Sequence, residues 1–138
     1  MQDGCIQLLK ELLNNEYKVL LETGGSLPID EIPKEVIKIV DFKCPSSNMD
    51  KKNLWLIVDN LESHDEVKFV IGNRKDFDWA KDRITEYSLD KICTLLFSPT
   101  FGEIDPQQIV EWILAENLPV RIQMQMHKMI WSLEEKGV

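Results

Sequence analysis

In this sequence the residues suited to chemistry stand where short apolar runs stop. After residues 17–21 comes Glu22-Thr23-Gly24-Gly25-Ser26. Two adjacent glycines let the backbone approach a ligand closely and expose amide hydrogens to it; they also make an ordinary tight turn. After residues 37–42 comes Lys43, inside Asp41-Phe42-Lys43-Cys44-Pro45-Ser46-Ser47. An ammonium at the carboxyl end of a buried strand suits a carboxylate, and a lysine there can equally snorkel to solvent. Phe97 is followed by Ser98 and Pro99. That pair can hold a ribose or adenine edge by hydroxyl and backbone, or simply start a turn.

The last such segment is Gln123-Met124-Gln125-Met126-His127-Lys128. Alternation puts both glutamines on one face of a strand, toward a cavity or solvent, while the methionines pack. His127 by itself reads as a packing or surface histidine. With only His64 besides it, no histidine-based metal site can be argued. The chain has no nucleophile elbow, no Walker-type loop and no G-x-G-x-x-G after a strand. Cys5, Cys44 and Cys93 stand too far apart for a C-x-x-C pair or a compact cluster motif. Such scattered cysteines read as reduced thiols, with Cys44 structural, rather than as a disulfide framework. Glu103 and Asp105 lie close in sequence, one preceding and one capping a helix, and neither is given an acid–base role.

The elements that must position these residues alternate. Residues 4–15 carry Ile6, Leu9 and Leu13 at helical spacing. Strands are expected over residues 17–21, 37–42, 67–71, 93–97 and 120–124. Residues 51–61 are ambiguous by pattern and are assigned to a helix. A clearer helix spans residues 74–87, with Phe77, Ala80, Ile84 and Tyr87 on one face. Asp105-Pro106 opens another, a cap followed by proline at the first helical position. Strands and helices in this order make parallel βαβ units, an α/β fold in one domain over residues 1–138. Right-handed crossovers place the helices on one side of a curved sheet or on both sides of an open one. In either form the loops after the strands gather along one edge, where ligands bind.

Composition narrows the class. The net charge of −8 and pI near 4.8 oppose nonspecific binding to phosphate backbones, so no nucleic-acid partner is expected. No apolar run approaches the roughly 20 residues that span a bilayer, and no signal-like start is seen. Cytoplasmic residence without a membrane partner is therefore the expectation.

Taken in order, ETGGS, DFKCPSS, EVKFVIG, FSP and IQMQMHKMIW, with a tail ending KGV, resemble the C-terminal portion of the 7-carboxy-7-deazaguanine synthase family. The resemblance runs from about Gly4 to Val138. HKMIW and the D-x-K-x-P-x-S stretch are its most diagnostic parts. It implies a radical S-adenosylmethionine enzyme, a carbon–nitrogen lyase of queuosine precursor biosynthesis. Such an enzyme uses a [4Fe–4S] cluster to cleave S-adenosylmethionine reductively. The radical formed abstracts hydrogen from 6-carboxy-5,6,7,8-tetrahydropterin, and a magnesium-assisted ring contraction follows. The fold implied is an incomplete (β/α) barrel, here without its first strands.

The resemblance also implies site residues. Asp41, Phe42 and Lys43 would lie along S-adenosylmethionine, with Lys43 near its carboxylate. Phe97, Ser98 and Pro99 would line the nucleoside end, with Thr23 and Gly24 as a neighbouring wall. The terminal carboxylate of Val138, with His127 close by, would meet the pterin substrate, a carboxylate being a sound partner for adjacent ring N–H donors. Two departures stand out. Gly24 replaces an expected asparagine or serine, and the Cys-x-x-x-Cys-x-x-Cys motif, a substrate-binding arginine and a Gly-Gly-Glu motif are absent. Without three thiolates no cluster is held, so the chain alone is expected to be inert, with no catalytic or metal residue of its own. An open edge at residues 17–21 would then favour self-association, most simply as a dimer. Two rival readings are a non-enzymatic α/β module that binds a nucleotide or protein, and a fragment of another activating-type radical enzyme.

Overall fold

The computed structural model describes residues 4–131. Five strands, β1 (Leu20–Thr23), β2 (Ile37–Phe42), β3 (Glu66–Ile71), β4 (Thr94–Pro99) and β5 (Arg121–Ile122), form one sheet in the order β1-β2-β3-β4-β5. Every pairing is parallel. Sequential parallel neighbours joined by crossovers of one hand carry their connections on one face. The helices α1 (Cys5–Asn14), α2 (Arg74–Glu86) and α3 (Pro106–Glu116) accordingly share a single core with that face. A short helix, α4 (His127–Ile130), follows β5.

Alternation along the strands divides the sheet. Val67, Phe69 and Ile71 of β3 are fully buried, whereas Glu66, Lys68 and Val70 between them are only half-buried. Phe69 and Phe97 meet edge to face at 6.0 Å, and Phe77 of α2 meets Phe97 at 5.4 Å. Such pairs add about 0.5–1.5 kcal/mol each beyond their buried area. The open face carries Glu22, Asp41, Lys68 and Ser98, as the register Asp41↔Lys68 and Val70↔Ser98 requires.

Two expected elements differ in extent. The first strand begins at Leu20, because Tyr17 and Glu16 close α1 instead: their N–H groups donate to Leu12 and Leu13 carbonyls at 3.1 and 2.9 Å, with Glu16 left-handed at φ 62°. The last strand is only two residues long, since the Val120 N–H turns back to Leu118 O at 2.9 Å and Met126 already opens a turn. The other strands and helices start and end within a residue or two of expectation.

Residues 51–61 are not an α-helix. They form two 3-10 turns, Asp50–Lys52 and Trp55–Asn60, broken at Asn53 and Leu54. The Asn53 side chain bonds both the N–H and the carbonyl of Lys43, each at 2.9 Å, and Leu54 N–H donates to Gly25 O at 2.8 Å. Trp55 lies stacked between Phe42 and Tyr87, with both centroid separations 4.4 Å. Groups committed to neighbouring loops cannot also serve a continuous helical ladder.

Candidate functional site

The carboxyl ends of β1 to β4 bring four loops together. Gly25 is the glycine the geometry requires: its φ is +66°, and a Cβ there would stand 2.9 Å from Phe42 Cδ1 and 3.3 Å from the Asp41 carbonyl. Gly24, the one singled out by the resemblance, is exposed, and a Cβ on it would meet nothing within 4 Å. Thr23 ends β1 opposite Val40 and is half-buried.

Asp41 and Lys43 project together at the end of β2. Lys43 Nζ donates to Asp41 Oδ2 at 2.8 Å, and the two side chains keep 37% and 19% exposure. The other carboxylate oxygen, Asp41 Oδ1, is buried and has no hydrogen-bond partner among the described residues. An unpaired buried acceptor is costly to maintain, and a ligand or an ordered water can supply the missing donor. Phe42 and Phe97 place their side chains in the core, fully buried, so what they present at this edge is backbone. Ser98 is buried on the same face as Asp41, while Pro99 helps line a cavity of about 250 Å³ with Phe101, Ile104, Met124, Gln125 and Met129. The Gln125 side-chain carbonyl is buried without a partner among the described residues. The cavity is therefore largely apolar, with Thr100 and Gln125 as the polar residues of its wall, a fit for a flat ring. The expected packing of both methionines holds for Met124 only, for Met126 is 66% exposed. His127 opens α4; its side chain, like Val138, lies outside the described residues.

Sequence reasoning missed the residue that joins these loops. Asp76, in the first turn of α2, is fully buried and accepts from Ser46 N (3.0 Å), Ser46 Oγ and Gly72 N (2.9 Å). Its own N–H is capped by Asn73 at 3.1 Å. A carboxylate beside a helix N-terminus and three donors is well stabilised. It ties the loop after β2 to the end of β3. A Cβ on Gly72 would come within 2.8 Å of Glu103 Oε2, which brings the loop after β4 to the same point. The available signal was Asn73-x-x-Asp76, a cap with an acidic residue three positions on.

The cysteines are unsuited to a cluster. Burial, helped by the Asp76 and Asp41 carboxylates, pushes the Cys44 thiol well above its usual range. Burial likewise pushes Cys93 up to about 12. Among the described residues no group of three His, Cys, Asp or Glu side chains could hold a metal ion. No described helix is long and apolar enough to cross a membrane.

No family model matches the chain. Curated relatives do. A 7-carboxy-7-deazaguanine synthase of Koribacter versatilis is 37% identical over 146 residues, covering 96% of this chain and 65% of that protein. The enzyme of the same name from Chlorobaculum tepidum is 38% identical over 141 residues, covering all of this chain and 64% of its own length. That from Clostridium acetobutylicum is 34% identical over 143 residues, again covering the whole chain and 65% of the relative. This chain is a sequence relative of the 7-carboxy-7-deazaguanine synthases. It spans just under two thirds of the length of these synthases. Within this chain, Asp41-Phe42-Lys43 and Ser98-Pro99 stand at strand ends where the fold gathers polar groups on one edge.

Proposed function

We propose that the chain is the C-terminal part of a radical S-adenosylmethionine enzyme that converts 6-carboxy-5,6,7,8-tetrahydropterin to 7-carboxy-7-deazaguanine. The observation that carries this reading is the 37–38% identity to synthases of that name across 96–100% of the chain. In this reading the five strands are the later part of an incomplete (β/α) barrel, and the open sheet face lines its interior.

The residues present fit S-adenosylmethionine. Asp41 Oδ1 lacks a donor among the described residues, and a ligand hydroxyl or ammonium supplies one. Lys43 offers an ammonium to the ligand carboxylate. The cavity beside Pro99 takes the flat nucleobase, with the Gln125 carbonyl and the backbone after Phe97 and Ser98 as polar contacts. Thr23 and the Gly24-Gly25 turn close the remaining wall. His127 and the terminal carboxylate of Val138 belong to the pterin side.

A [4Fe–4S] cluster does not fit the residues present, for no three thiolates converge and two of the thiols are held protonated. Neither cluster nor magnesium is therefore assigned to any residue here, and a protein of these residues alone would be inert. When bound to a complete enzyme, the cluster supplies the electron that cleaves S-adenosylmethionine. The share of this chain is to bind and orient the ligands. Self-association through the β1 edge, where Tyr17 and Leu20 are 63% and 55% exposed, is part of the same reading.

A chimera tests it. The preceding segment of the Chlorobaculum tepidum enzyme is joined to this chain, reconstituted with iron and sulfide, and assayed for 7-carboxy-7-deazaguanine. Product from the chimera and none from the chain alone is the expected result. A chimera that folds and loads its cluster yet gives no product would overturn the reaction; product from the chain alone would overturn its inertness.

A further inference from the structure

The charged groups of the open sheet face are unequally compensated. Lys43 is held at 2.8 Å by Asp41 and keeps 37% of its side chain exposed. Lys68, on the central strand, keeps only 15% and has one ion-pair partner among the described residues, Glu22 at 3.7 Å. Glu22 is itself 69% exposed on the edge strand β1 and free to turn to solvent. Beside Lys68 on the same face stand Leu96, its register partner, and Ile39, which are 6% and 7% exposed. These apolar neighbours lower the local polarizability, so a charge there interacts more strongly than one in water. An ammonium so placed is poorly hydrated and weakly paired, a combination that a bound anion relieves.

Position adds the second argument. Lys68 is the register partner of Asp41, so the two side chains leave adjacent strands about 4.8 Å apart and at the same depth. Any ligand that reaches the unpartnered Asp41 Oδ1 is within reach of Lys68. The two groups divide its polar contacts by charge, a donor of the ligand to Asp41 and an acceptor to Lys68. Ser98 lies one residue pair farther along the same face.

We propose that Lys68 is a carboxylate-recognition residue of the open sheet face, displacing its contact with Glu22 when an anionic ligand binds. The inference rests on the functional reading above, which supplies two carboxylate ligands, the pterin acid and the methionine end of S-adenosylmethionine. The chemistry is shared, and the test separates the sources.

The intact chain is titrated with 6-carboxypterin and with pterin, followed by fluorescence, and with S-adenosylmethionine and 5′-methylthioadenosine, followed by calorimetry. In each pair the second compound lacks the carboxylate. Lys68→Met, which keeps the apolar stem, should weaken one carboxylate ligand at least about tenfold and leave its counterpart within about twofold. Lys68→Arg should recover most of the loss. Glu22→Gln, which removes the competing carboxylate, should tighten the same ligand. The affected pair names the source. Equal weakening of both members of a pair, or no change in either carboxylate ligand, would overturn the role of Lys68 while leaving the functional reading intact. If unaltered chain binds none of the four, both proposals fall. Urea unfolding of each variant provides a check on the fold, and the Glu22→Gln result stands even if Lys68→Met is destabilised.

Discussion

At the amino end of the sheet, Lys38 and Asp65 are 2% and 0% exposed and paired at 3.0 Å. Asp65 also accepts from the N–H groups of Lys38 and Glu62, each at 2.8 Å. At the carboxyl end, Asp41 and Lys43 are paired at a similar distance, yet one carboxylate oxygen has no donor among the described residues. Both ends bury acidic groups beside lysines. At one end both carboxylate oxygens accept from groups of the chain; at the other, one oxygen has no donor among the described residues. A buried pair whose lone pairs are all used holds the strands in register, whereas an incomplete one costs stability and retains the capacity to bind. Glycines and loops reinforce the contrast, since Gly25, Gly72 and the Asn53 clamp on Lys43 all lie at the open end.

Substitutions can break this comparison. The largest effect is expected from Asp65→Ala, which strands a buried ammonium and two backbone N–H groups and should cost about 3–5 kcal/mol. Urea unfolding measures it, and a loss under about 1 kcal/mol would mean the amino end is not the closed one. Next comes Gly25→Ala, which forces a left-handed residue against the Phe42 ring and should cost about 1–3 kcal/mol by the same measurement. A neutral result there would show that the turn relaxes freely and does not shape the edge.

Asp41→Asn sharpens the contrast from the other side. Because Oδ1 is already unpaired, stability should change by no more than about 1 kcal/mol. S-adenosylmethionine binding by calorimetry should nevertheless fall at least about tenfold. A large loss of stability with unchanged binding would reverse the roles assigned to the two ends. The smallest effect concerns neither end. Glu116 joins α3 to Lys81 at 2.6 Å and to Arg74 on α2, and these bonds hold its carboxyl below the usual 4.5. A lowered folded value means the contribution is complete above pH 4.5 and vanishes as pH falls through the folded value. Glu116→Gln should therefore remove at most about 1 kcal/mol at neutral pH and nothing at low pH, since the group is near the surface.

Much of this frame was legible in the chain. Residues 37–42 and 74–87 read as strand and helix because their apolar spacing matches the period of each element, and Asp105-Pro106 marks a helix start through local chemistry: Asp105 Oδ1 accepts from Gln107 N at 2.9 Å. The order of the strand ends disclosed the resemblance, and the relatives agree with it. Residues 51–61 depart from the helix their pattern suggests because Asn53 and Leu54 bond Lys43 and Gly25 in other loops. Gly25 rather than Gly24 carries the strained turn because only the approach of Phe42 distinguishes two adjacent glycines.

The sequence by itself determined the alternation of elements, the capping of α3 and the family likeness, since each depends on neighbours along the chain or on residue order. Tertiary structure alone decided which face of the sheet stays open, that Asp76 ties three segments together, and that Lys68 stands beside Asp41. Those properties depend on register between strands 27 residues apart in sequence, Asp41 to Lys68, and no local pattern encodes which residues a parallel pairing will bring side by side.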